Sequence, residues 1–278
     1  MNHYEFYWDS FDNLRMFAQV WEPVENKKVT GVVTLVHGLG EHSGRYANVA
    51  ASLVGRGFAV VAFDQRGHGK SQGKRGHTPS YEALIKDVED VLQIALKKFP
   101  GILYFLYGHS LGGNIVINYA LRLKPNIHGV IVTSPWLKII SEPSSNLLYF
   151  VRLLNKVCCP LTQANGLKAQ LLSHDQNVVD DYINDPLVHN RISMRLFITA
   201  HEAGNWALEN ANELTTPMLL MHGEDDQITS PDASKEFAEK AGDYCTFKIW
   251  EGLYHELHNE LIKDKILKFM GDWLKTRL

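Results

Sequence analysis

Short apolar runs alternate with amphipathic stretches along most of the chain. Gly31 to Val36 reads GVVTLV and Phe58 to Phe63 reads FAVVAF. Leu103 to Tyr107, Val130 to Thr133, Met218 to Met221 and Thr246 to Trp250 repeat the pattern. Runs that are apolar at nearly every position predict strands covered on both faces, and so a mostly parallel sheet. Between them, Leu84, Val88, Val91 and Ala95 recur at steps of four, three and four, one face of a helix over Tyr81–Phe99. Ser80 is placed to cap that helix, and Pro100-Gly101 to end it. Leu111–Leu123 and Leu261–Lys275 are predicted as further helices. Alternating strand and helix predicts a doubly wound α/β sheet. Tyr4 to Trp21 carries FYWD and RMFAQVW around a polar Asp12-Asn13 turn, which predicts a pair of antiparallel edge strands.

From Leu137 to Ser193 the rhythm breaks. No buried strand is evident there. The stretch holds the apolar LLYFVRLLNKV (Leu147 to Val157) followed by the polar SHDQNVVDDYINDP. The expectation is a helical cap inserted over the carboxyl edge of the sheet, where open α/β sheets bind ligands. The chain then divides into a core of 1–136 and 194–278 with a cap of 137–193.

Composition narrows the function. Of 278 residues 45% are hydrophobic and 21% charged, with a formal net charge of -3. That supports a sizeable core and lacks the basic excess of a nucleic-acid binder. The three cysteines, Cys158, Cys159 and Cys245, have no zinc spacing and predict free thiols in a reducing cytoplasm. The start, MNHYEFYWDS, has no signal-peptide pattern, and no run of about eighteen apolar residues would span a membrane. The expected location is cytoplasmic.

The chemistry begins at Gly108-His109-Ser110-Leu111-Gly112, directly after a predicted strand and before a predicted helix. In that context G-x-S-x-G forms a tight, strained turn that exposes the serine hydroxyl above a helix N-terminus. Side chains at 108 and 112 would collide, hence the glycines. A serine hydroxyl needs a base and an orienting acid, which follow in the order Ser, Asp, His in such sheets. The acid is expected at Asp226, past the MLLM strand, with Asp225 and Glu224 as local competitors. The base is expected at His255, after TFKIW, with His258 one helical turn on. The bland reading of His258 is a surface histidine. Backbone amides of Leu111 and of Leu39, in the glycine-rich His37-Gly38-Leu39-Gly40 loop, are the candidate oxyanion donors.

Four motifs together, HGLGEHSGRY (37–46), DQRGHGKS (64–71), GHSLGG (108–113) and YHELHNE (254–260), with YINDPL (182–187) in the cap, closely resemble the monoacylglycerol lipase and lysophospholipase family of α/β-hydrolases. The likeness covers nearly the whole chain. It implies an α/β-hydrolase fold with an inserted helical cap. It also implies hydrolysis of single-chain acyl esters such as monoacylglycerols or lysophospholipids through an acyl-enzyme, with no metal or organic cofactor. Carried over by position, the triad is Ser110, Asp226 and His255. A polar pocket for the glycerol head falls on Glu41, Arg45, His109, Tyr182 and His258, although Glu41 and Arg45 also read as a surface ion pair. Leu39 stands where many relatives have a small or apolar residue and narrows the acyl side. The 64–71 stretch reads as a loop shaped by its glycines and Arg66. The implied partner is a lipid-like ester. Leu147–Val157 has three readings: tunnel lining, a lipid-surface dock, or a core-packing helix. Two rival functions stand beside the ester reading. One is an amide hydrolase holding a free amine with Asp180, Asp181 or Asp185; the other is a catalytically silent binding protein.

Overall fold

A computed structural model describes residues 1–25, 27–155 and 160–278. The strands, in chain order, are β1 (Asn2–Asp9), β2 (Arg15–Glu22), β3 (Gly31–Val36), β4 (Phe58–Phe63), β5 (Leu103–His109), β6 (Gly129–Thr133), β7 (Thr162–Ala164), β8 (Arg191–Ser193), β9 (Met218–Gly223) and β10 (Cys245–Trp250). The helices are α1 (Ala47–Val54), α2 (Tyr81–Lys98), α3 (Leu111–Leu123), α4 (Ser145–Asn155), α5 (Gln176–Asn184), α6 (Met194–Glu209), α7 (Pro231–Ala241) and α8 (Lys263–Lys275).

Eight strands form one sheet in the order β1-β2-β4-β3-β5-β6-β9-β10. β1 pairs antiparallel with β2, and β2 with β4; the remaining neighbours run parallel. Successive side chains alternate between two cores. Val32, Val61, Leu106, Val132 and Leu220 pack with α2, α3 and α6 on one face. Val33, Val60, Phe105, Ile131 and Leu219 pack with α1 and α8 on the other. Burial on both faces is why these strands lack a polar alternation. Ser80 caps α2, its hydroxyl accepting from the Ala83 amide.

Two expectations need correction. Of the β1–β2 pair only β1 is an edge strand; β2 lies inside the sheet and is buried along most of its length, because β4 covers its other side. The stretch between Leu137 and Ser193 is not purely helical: β7 and β8 pair antiparallel within it. Both are three residues long and partly exposed, too short to show as apolar runs. Cys245 is a free thiol. Cys158 and Cys159 lie outside the described residues. Among the described residues, no helix is long and apolar enough to cross a membrane.

The 64–71 loop is built on a buried ion pair. The Arg66 guanidinium donates to both Asp87 oxygens, at 2.6 and 2.8 Å, and to Asp12 at 2.8 Å. Arg66 and Asp87 are both buried, so removing Asp87 leaves a buried cation with only the partly exposed Asp12 as its counter-ion. Asp87→Ala is expected to cost ~3–5 kcal/mol in urea unfolding. Glu5→Ala, which breaks the exposed Glu5–Lys70 pair, should cost under about 1 kcal/mol. Equal effects of the two changes would refute this view of the loop.

Candidate active site

β5 passes into α3 through Ser110, whose backbone stands at φ 52° and ψ -115°. Neighbouring strands hold it there. The Ser110 amide donates to the Thr133 carbonyl at 3.0 Å, and the Ser110 carbonyl accepts from Asn114 and Trp136 at 3.0 Å each. The glycines are sterically required. A β-carbon at 112 would sit 2.1 Å from the Val36 carbonyl oxygen, and one at 108 would sit 2.5 Å from that of Gly112. Ser110, 8% exposed, opens into a cavity of about 480 Å³ between the carboxyl edge of the sheet and the stretch above it. Leu39, Trp136, Ile139, Leu171, Phe197 and Ile228 give that cavity an apolar wall.

Asp226 follows β9 and is buried. Its Oδ2 accepts from His255 Nδ1 at 2.7 Å, Thr229 Oγ1 at 2.9 Å and His222 Nε2 at 3.0 Å. Its Oδ1 accepts from the Ile228 and Thr229 amides at 2.7 and 3.1 Å. Asp225 and Glu224 are exposed, so the choice among the three acids falls on Asp226. Burial opposes its charge, but His255 and His222 together hold its carboxyl well below the ordinary range.

His255 lies on the cavity wall, and the Ser134 hydroxyl donates to its carbonyl at 2.7 Å. With Nδ1 committed to Asp226, Nε2 is the nitrogen left for chemistry; among the described residues it makes no hydrogen bond. Burial pushes this imidazole down, but Asp226 outweighs it and raises the pKa above the ordinary histidine value. His258 is different. It is 0% exposed, stacked on Tyr46 at 4.6 Å and edge-on to His109 at 5.0 Å, with neither nitrogen bonded among the described residues. Burial pushes its pKa down to about 4. It is therefore not a surface histidine, and it does not reach the cavity wall expected for a head-group residue, because Tyr46 and His109 pack against it.

The loop before Ser43 is held by Glu41. Its carboxylate accepts from the Gly38 amide at 2.6 Å, the Tyr46 hydroxyl at 2.7 Å and Arg45 at 2.5 Å. Among the described residues the Leu39 and Leu111 amides donate to no protein group. Glu41, His109 and Tyr182 line the cavity. His109 Nδ1 lies 3.0 Å from Thr133 Oγ1. Arg45 pairs in bidentate fashion with Glu256 at 2.6 and 2.7 Å and lies over the Tyr182 ring at 4.8 Å. Its ion pairs are buried rather than on the surface, and it borders a second depression together with Asp181 and Asp185. Asp185 accepts from His42 at 2.8 Å, and Asp180 from Gln176 at 2.8 Å; none of the three cap aspartates lines the Ser110 cavity. Nor do the described side chains between 148 and 153, which removes tunnel lining for that part of 147–157. Among the described residues no group of His, Cys, Asp or Glu could hold a metal ion.

A family model described as "Serine aminopeptidase, S33" matches residues 27–262. A monoacylglycerol lipase of Mycolicibacterium smegmatis is 31% identical over 95% of this chain and 94% of its own. The crystal structure of a monoacylglycerol lipase from Paleococcus ferrophilus superposes with a TM-score of 0.85 at 35% identity, covering 100% of both chains. The chain belongs to the monoacylglycerol lipase family of α/β-hydrolases. It is a carboxylic ester hydrolase. An abhydrolase domain-containing protein of Dictyostelium discoideum is 38% identical over 96% of this chain, which spans 28% of that longer protein.

Three parts of this α/β-hydrolase site escaped the sequence reading. Thr229 and His222 both reach Asp226, and Glu256 binds Arg45. His222 carried a faint signal, a polar residue ending an otherwise apolar strand. Glu256 sat in the histidine motif without a visible partner, because Arg45 is remote in sequence.

The contrast between two neighbouring histidines can be measured. By NMR titration, His255 should protonate above the ordinary value of about 6.5, and His258 only near pH 4. Asp226→Asn removes the anion and leaves burial, so the His255 midpoint should fall. An unmoved midpoint would refute the electrostatic account.

Proposed function

We propose that this enzyme hydrolyses single-chain acyl esters, monoacylglycerols foremost and lysophospholipids beside them, through an acyl-enzyme on Ser110. The observation that carries the reading is the convergence on one apolar cavity of a strained serine and an imidazole whose Nδ1 is bound to a buried carboxylate. In this reading residues 137–193 act as the cap and the acyl chain lies beneath it. Ser110 Oγ attacks the ester carbonyl while His255 Nε2 takes the serine proton. The Leu39 and Leu111 amides receive the oxyanion, each worth ~10²–10³ in rate. His255 then protonates the departing alcohol. Water attacks the acyl-serine, giving its proton to the same nitrogen, and the fatty acid leaves with Ser110 restored. Glu41, His109 and Tyr182 take the head group in this reading, with Arg45 acting through Glu41 and Tyr182.

The amide-hydrolase alternative finds less support. Its amine would have to meet Asp180, Asp181 or Asp185, and all three face elsewhere. The silent-fold alternative fits poorly with a complete set of three groups. Ser110→Ala is expected to lower kcat for a p-nitrophenyl ester on the order of 10⁶-fold and to abolish fluorophosphonate labelling, with circular dichroism unchanged. Monoacylglycerols should lead an ester panel, and proline aminoanilides should give no turnover. Retained ester turnover in the alanine variant would sink the proposal.

The dock on lipid surfaces rests on α4, where Tyr149, Phe150 and Leu153 are 61%, 62% and 43% exposed. Adjacent apolar side chains on one short helix suit the interfacial region of a bilayer. Phe150→Asp should weaken liposome co-sedimentation roughly ten- to hundredfold, given ~1.5–3 kcal/mol for burying such a ring, while turnover of a soluble ester persists. Unchanged co-sedimentation would remove the docking role.

A further inference from the structure

His222 takes no part in the mechanism above, yet it is built directly into it. It stands near the end of β9 and is fully buried. Its Nε2 lies 3.0 Å from Asp226 Oδ2, the same oxygen that accepts from His255. Its Nδ1 lies 2.8 Å from the Ser234 hydroxyl on α7. The directions of these bonds follow from valence. An ionised carboxylate only accepts, so the proton of a neutral His222 must sit on Nε2. Nδ1 is then an acceptor, and the Ser234 hydroxyl donates to it. Ser234, His222 and Asp226 form one relay of fixed polarity that shares the carboxylate oxygen Oδ2 with His255.

We propose that His222 is a positioning residue which, as a second imidazole donor on Asp226 Oδ2, fixes the carboxylate toward His255 and moderates the basicity of that histidine. Each donor to the carboxylate favours its charged form and reduces what it lends to the next donor. His222 meets Asp226, Thr229 and Ser234. The groups facing His255 are Asp226, Thr229, Glu256, Glu41, His109 and His258. Substituting His222 removes none of these groups.

The inference rests on the Ser110, His255 and Asp226 reading, and its test separates from that reading. The acid limb of kcat/KM against pH is measured with a soluble p-nitrophenyl ester. His222→Leu removes the donor. It should lower kcat 10- to 100-fold, on the order seen for a misplaced catalytic group, and move the acid limb up by about half a unit. His222→Gln keeps an N–H at the ε position and should restore most of both. A limb that stays put in the leucine variant, or a glutamine variant as impaired as leucine, overturns the proposal. Should the leucine variant not fold, Ser234→Ala decides. It leaves His222 and its Nε2 proton in place but removes the hydroxyl bond that polarises that N–H toward Asp226, so an upward limb supports the relay and an unmoved one refutes it. An inactive Ser110→Ala together with an unmoved limb would sink this inference alone.

Discussion

Everything at this site depends on a backbone that passes through φ 52° at a residue with a side chain. Such a conformation costs about 1–3 kcal/mol and persists only where its surroundings enforce it. Here the enforcement comes from three strands. β6 accepts the Ser110 amide through Thr133, and the segment after β6 donates back through Trp136. β3 presses so closely on the start of α3 that no side chain fits at Gly112. The parallel pairing of β3, β5 and β6 is therefore part of the chemistry. It carries the serine to the carboxyl edge and leaves the first amides of α3 beneath it.

Burial alone would push every histidine at the site toward neutrality. His109, 1% exposed, is forced well below its ordinary value by burial first and then by His255 and His258. His258 goes the same way. His255 escapes because Asp226 is 2.7 Å away, and so becomes the one of these three rings whose basicity is raised. The other carboxylates near the cavity are satisfied separately. Glu41 braces the Gly38 amide, and Glu256 is held low, despite its burial, by the bidentate Arg45. Dividing the anions in this way keeps charge near the serine without letting every imidazole become a competing base.

The sheet was legible because its six inner strands are largely buried on both faces and bounded by glycine and proline. All eight strands of the main sheet correspond to segments read from apolar runs or from the Tyr4 to Trp21 pair. α1 and α7 left no such trace: the first is short, and the second is polar on its outer face. Ser110, Asp226 and His255 were legible as candidates because each follows a strand and sits by a glycine. What stayed hidden was the layer behind them. Whether Glu41 faces substrate or holds a loop depends on Tyr46 and Gly38 closing around it. His258 looked like a surface residue because its motif is polar, yet stacking on Tyr46 draws it fully inside. Three-dimensional partners remote in sequence decide such roles, and local pattern does not report them.

The attachment of the stretch from 137 to 193 adds a last constraint. Its returning arm meets the core backbone to backbone. The His189 amide donates to the Gly40 carbonyl at 2.8 Å, and the Ser193 amide to that of Gly76 at 2.8 Å. Both glycines have positive φ, at 81° and 66°, and a β-carbon on either would lie 2.4 or 2.0 Å from the arm's carbonyl oxygens at His189 and Arg191. Gly40 directly follows Leu39, and Glu41 directly follows Gly40. One contact therefore ties the arm above the cavity to the loop that carries Leu39, whose amide is a candidate oxyanion donor. Side-chain changes on the arm leave this contact intact, since it is made by main-chain atoms; a single methyl at Gly40 would both strain its backbone and push the arm off. Cavity roof and candidate oxyanion loop are thus one mechanical unit, which explains why the HGLG turn must carry glycine at position 40.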